Sequence, residues 1–81
     1  METDPKSVNL ILSANEALVL YEYLARTANA RAQDPLVEDQ SELRVLWDLE
    51  SMLESRLGSV TAPDYDSRLA AARASVRDDH S

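Results

Sequence analysis

The sequence predicts an all-α fold: a helical hairpin, a third short helix, and a short extended or β-like N-terminal arm. Three observations carry that reading. Ser13-Ala14-Asn15-Glu16 has the spacing of a capping box and opens a 3.6-residue apolar stripe. The sole glycine, Gly58, stands where a long apolar segment must stop, as a left-handed C′ residue would. Pro63-Asp64-Tyr65-Asp66 then offers another helix start, with Arg68, Arg73 and Arg77 later in the segment, an order that complements the helix dipole.

Taken in order, residues 1–7 read as a flexible polar lead-in. Val8-Asn9-Leu10-Ile11-Leu12 is β-prone and alternates at Val8, Leu10 and Leu12. Only Ser59-Val60-Thr61 looks able to pair with it, and a lone strand leaves its ladder unsatisfied. Two readings stay open: an arm packed on the helices, which is preferred, or a strand paired with the same strand of another copy.

The first helix is expected over about 14–30. Its buried stripe is Ala14, Ala17, Leu18, Tyr21, Leu24, Ala25 and Ala28, widened by Leu20. Val19 and Tyr23 lie on the opposite side, one turn apart, as a small outer patch. Asn29 to Gln33 reads as a loop. Asp34-Pro35 then looks like an N-cap followed by proline at the first helical position, which places the second helix over about 35–57. Asp39-Gln40-Ser41-Glu42 is a rival start. The third helix is expected over about 64–77, with a thin stripe of Tyr65, Leu69, Ala72 and Val76, and 78–81 as a frayed tail. Residues 8–77 thus form one helical domain.

The second helix holds the surplus. At about 100° per residue, Leu43, Leu46, Trp47, Leu53 and Leu57 fall on one broad face, and Val45, Leu49 and Met52 on a second beside it. A helix apolar on most sides seeks burial on more than one. Trp47 and Tyr21 read as core, and a core Trp47 truncated to Ala would cost roughly 3–5 kcal/mol. An 81-residue chain buries only about 60–65% of its unfolded surface, at a radius of gyration of roughly 12 Å. With no cysteine to staple it, self-association is the remaining common way to gain buried area.

Charge narrows the partners. Fifteen acidic residues against 8 basic give −7, which argues against nucleic acid and anionic membrane. Residues 34–57 carry seven acidic side chains against Arg44 and Arg56, a balance of −5 that either keeps the surface soluble or steers a basic protein. No apolar stretch approaches a membrane span, and Val8–Leu12 is too short for a signal-peptide core. A cysteine-free chain fits the cytoplasm.

Chemistry is sparse. The one histidine, His80, lies at the end of the chain, so histidine-based acid–base and triad schemes have no positioned base. No catalytic, cofactor or metal residue is expected: cysteine is absent and one glycine makes no phosphate loop. Glu50 sits on the wheel among leucines and Trp47, so it must be paired, hydrogen-bonded or protonated. Arg26, Arg31, Tyr21 and Tyr23 are its available partners. It reads as a side chain at the core edge meeting an arginine, as a specificity-setting interface contact, or, last, as a catalytic acid. Glu50/Glu54 and Glu38/Glu42 are like charges one turn apart, which points weakly to something basic nearby. Tyr65 between two aspartates has the look of a modified tyrosine, though its place beside a helix cap explains it structurally.

The run Ser13-Ala14-Asn15-Glu16-Ala17-Leu18-Val19-Leu20-Tyr21-Glu22-Tyr23-Leu24, then Leu43-Arg44-Val45-Leu46-Trp47-Asp48-Leu49-Glu50, then Pro63-Asp64-Tyr65-Asp66, resembles small bacterial helical proteins of unknown function across residues 8–77. The resemblance implies a short helical cytoplasmic protein and transfers no catalytic residue or partner. The reading is therefore a non-enzymatic protein–protein interaction module, a homodimer through the second helix. Its contact residues would be Val19, Tyr23, Val45, Leu49, Met52 and Glu50. The alternative is a small acidic inhibitor, antitoxin or immunity-like protein that covers a basic partner.

Overall fold

The first two helices begin where the chain offers caps, and the second also ends on one. The computed structural model describes residues 6–58 and 63–79 and, among them, contains three α-helices and no strand. The first, α1, spans Ala14–Arg31 and opens on the capping box. The Ser13 Oγ accepts from the Glu16 N–H at 3.0 Å, and Glu16 Oε1 accepts from the Ser13 N–H at 2.9 Å. The second, α2, spans Gln40–Leu57 and ends on Gly58 in the left-handed conformation at φ 64°. The third, α3, spans Tyr65–Asp79.

The start of α2 falls at the later of the two competing signals, five residues beyond Pro35. Asp34 instead makes a turn: its Oδ1 accepts from the Leu36 N–H at 2.9 Å, and its carbonyl accepts from the Val37 N–H at 3.0 Å. Asp39 then caps the helix, accepting from the Ser41 N–H at 2.8 Å, while Glu42 Oε1 reaches back to the Glu38 N–H at 3.0 Å. Two carboxylates thus satisfy amides at the later start, against one at Asp34. Hydrogen bonds from Ser41 hold the Asp39 carboxyl below its ordinary range. At the other end, α3 runs on through Asp78 and Asp79, where a frayed tail was expected.

The arm is not packed. Ser13 is extended, so the chain runs away from the cap instead of folding back, and Val8, Leu10 and Ile11 stay almost wholly exposed. The other half of the strand alternative, Ser59-Val60-Thr61, lies outside the described residues. So do Val60 as companion of the Gly58 cap, residues 1–5 of the lead-in, and His80 and Ser81.

In space α1 is the middle helix. It contacts both α2 and α3, and the backbones of α2 and α3 do not approach each other. Both neighbours run antiparallel to it. Tyr65 Oη, at the start of α3, donates to Glu22 Oε1 at 2.8 Å, and the Asn15 amide donates to Ser75 Oγ, near its end, at 3.2 Å. On the α3 side Leu18, Leu69 and Ala72 form a buried cluster against which Val19, Leu57 and Tyr65 pack. On the α2 side the buried residues are Leu24 of α1 with Leu43 and Leu53 of α2. Full burial of a side chain such as Leu24 contributes roughly 1.5–3 kcal/mol.

Two outer helices whose backbones do not approach each other, together with the exposed arm, leave an open molecule. The radius of gyration is 14.5 Å, against roughly 12 Å for a compact chain of this length. The accessible surface is 6568 Å², where a compact 9.0 kDa protein exposes about 4,900 Å². Trp47 shows the consequence: it lies on the flank of α2 that α1 does not cover and α3 does not reach, and is 44% exposed. It is not the core residue that its periodicity indicated.

Two expected outcomes follow. Truncating Trp47 to Ala should cost only about 1–2 kcal/mol in urea unfolding, well below a full core truncation. Burial, reinforced by the hydrogen bond that the phenol donates to Glu22 and by the charge of that carboxylate, pushes the Tyr65 phenol up to about 12. The native state therefore favours the protonated phenol. Its contribution is complete below the unfolded value of about 10 and is lost as pH rises from there towards 12. Tyr21, raised by burial and by Glu54, Glu50 and Glu22, adds to the same loss. Unfolding midpoints across this range should fall for the wild type and fall less for Tyr65→Phe.

Candidate functional site

A site on this molecule must be built from what the helices leave uncovered. Around α2, the residues facing α1 are Leu43, Leu46, Glu50, Leu53 and Leu57, all buried or half-buried. About a quarter-turn away runs Glu42, Val45, Leu49, Met52 and Arg56, at alternating spacings of three and four residues. Val45 is 63% exposed and Met52 is 58% exposed, and half-buried Leu49 lies between them. This is a continuous apolar stripe with an acidic residue at its start and a basic one at its end. Near the beginning of α2 a groove of about 630 Å³ is lined by Gln40, Ser41, Leu43, Arg44, Val45 and Trp47.

Only part of the sequence-derived contact set meets here. Val45, Leu49 and Met52 share the stripe. Val19 does not belong to an outer patch: it packs against the Leu18–Leu69–Ala72 cluster, because α3 lies along that side of α1. Tyr23 is exposed on α1, with the Arg26 guanidinium 5.9 Å from its ring centroid. Glu42 and Arg56 stand at the two ends of the stripe, outside the apolar periodicity that marks its centre. Their place in the alternating spacing was the signal that could have found them.

Glu50 faces inward. Its Oε1 lies 3.3 Å from Nη2 of Arg31, which is only 5% exposed. Arg31 folds back along its own helix, where Nη1 donates to the Leu24 carbonyl at 2.7 Å and to Thr27 Oγ1 at 3.1 Å. Thr27 Oγ1 in turn donates to the Tyr23 carbonyl at 2.7 Å. Only the buried Nε of Arg31 finds no acceptor. Of the four partners available by type, Arg31 is therefore the one that pairs with Glu50. The pair welds α1 to α2 and is an arginine met at the core edge, not a contact on the open stripe. No grouping of His, Cys, Asp and Glu among the described residues could hold a metal ion. No described helix is long and apolar enough to cross a membrane.

The pair is asymmetric, and this is testable. The Arg31 side chain is only 6% exposed, whereas the Glu50 side chain is 23% exposed. Replacing Glu50 by Leu strands a buried cation and should cost about 2–3 kcal/mol. Arg31→Met leaves a carboxylate that can turn to solvent and should cost less. Urea unfolding of the two variants measures the difference.

Comparison with known proteins assigns no family. No family model matches the chain, and no solved structure matches it. A stretch of 64 residues, 79% of this chain, is 31% identical to part of nonribosomal peptide synthetase 7 of Gibberella zeae. The chain spans about 1% of that protein's length, so the similarity concerns a small segment of a far larger protein.

Proposed function

We propose that the protein is a cytoplasmic, non-enzymatic protein–protein interaction module that works as a homodimer joined through the open stripe of α2. One observation carries this reading: Val45 and Met52 lie more than half exposed, with Leu49 between them, on a helix that has only one neighbouring helix. Three apolar side chains in register on one face are a larger uncovered patch than scattered surface leucines make. A second copy offers the same stripe, and such self-complementary pairing is the commonest oligomeric arrangement.

A second reading rests on the charge of the same region. Residues 34–57, at a balance of −5, would suit a basic protein partner, in the manner of a small acidic inhibitor. The two readings differ in what the protein does alone and in salt.

Sedimentation across a micromolar concentration series decides between them. The wild type should sediment as a dimer, and Leu49→Glu as a monomer with unchanged helical circular dichroism. A wild type that stays monomeric throughout contradicts the homodimer. Capture of a basic partner, weakening with added salt, would then favour the second reading.

A further inference from the structure

The stripe on α2 is marked at its ends by opposite charges, and this fixes how two copies can meet. Leu49 lies at its centre. Glu42 and Arg56 each stand seven residues away, roughly 10 Å along the helix in opposite directions. Both are exposed. One oxygen of Glu42 accepts the Glu38 N–H, and the carboxylate has a second oxygen for another donor.

Resting on the homodimer reading, we propose that two copies pair their α2 helices antiparallel about Leu49. Glu42 of each chain then meets Arg56 of the other, and these two residues set the orientation. In the antiparallel pair Leu49 meets its own copy, Val45 lies level with Met52 of the second chain, and both ends carry an ion pair. In a parallel pair Glu42 faces Glu42 and Arg56 faces Arg56, a like-charge contact at each end. Asp48, on the solvent rim beside Leu49, faces its own copy across the antiparallel contact, a like-charge approach that the two Glu42–Arg56 pairs must outweigh. The ion pairs stand at the rim of the contact, where they select a geometry more than they add affinity. The apolar centre supplies the attraction.

Charge reversal tests this directly. Glu42→Arg and Arg56→Glu should each weaken the dimer by roughly tenfold in sedimentation equilibrium, and the double variant should return to within about twofold of the wild type. Glu42 and Arg56 are about 21 Å apart on one helix, so the restoration cannot arise within a chain. It also cannot arise from helix stability, because the double variant opposes the helix dipole at both ends. A stable wild-type dimer that the single reversals leave unchanged, or that the double reversal does not restore, overturns the antiparallel pairing and leaves the homodimer standing. A wild type that is monomeric overturns both. If circular dichroism shows a reversal variant unfolded, the cysteine-free chain permits a second test. Ser41→Cys and Ser55→Cys chains, mixed and treated with a short bis-maleimide, should link to each other. Linkage of each only to its own kind would establish the parallel pair instead.

Discussion

Everything in this fold depends on α1 having to hold two helices whose backbones do not approach each other. Its α3 side is apolar with polar clasps at either end, from Leu18 to the bonds made by Glu22 and Asn15. Its α2 side is built on Leu24 and the buried Arg31. In a closed three-helix bundle every helix has two neighbours, and an apolar face on either flank finds cover. Here the outer helices have one neighbour each. For α3, whose apolar stripe is thin, one is enough. For α2, apolar on several sides, it is not, and Trp47, Val45 and Met52 remain in solvent.

A helix of that kind has a second difficulty. Several of its faces are apolar enough to pack on α1, so hydrophobic burial alone does not select a rotation. The Arg31–Glu50 pair resolves the ambiguity. Turning α2 by a quarter-turn would bring Val45, Leu49 and Met52 against α1, but it would carry Glu50 away and leave the Arg31 guanidinium buried without its carboxylate. An uncompensated buried charge costs about 2–3 kcal/mol, which favours the rotation that keeps the pair. The polar pair thus favours the rotation in which Leu43 and Leu53 are core and the Val45–Met52 stripe faces outward. That links a stability feature of α1 to the binding surface of α2.

Legibility in the sequence followed the locality of the signal. The Ser13–Glu16 box and the Gly58 cap depend on residues within a few positions, and the structure places both as read. The all-α class followed from the same periodicities. The start of α2 was harder, because Asp34-Pro35 and Asp39-Gln40-Ser41-Glu42 are both sound caps and the choice rests on how many amides each satisfies. Tertiary facts were the least legible. Periodicity put Trp47 and Leu43 on one face, but which edge of that face a neighbour covers depends on how α1 and α3 divide the space. Val19 was assigned outward for the converse reason, since a two-sided α1 has a wider covered arc than one stripe predicts. Glu50 was recognised as needing a partner, and the reach of Arg31 back along its own helix made it the one that answers.

If a second copy covers the open stripe of α2, small-angle X-ray scattering over a dilution series will register the pair. The account predicts a radius of gyration well above the 14.5 Å of the single chain at high concentration, falling towards that value on dilution. A radius that stays at the single-chain value at every concentration, with a matching forward-scattering mass, would contradict it.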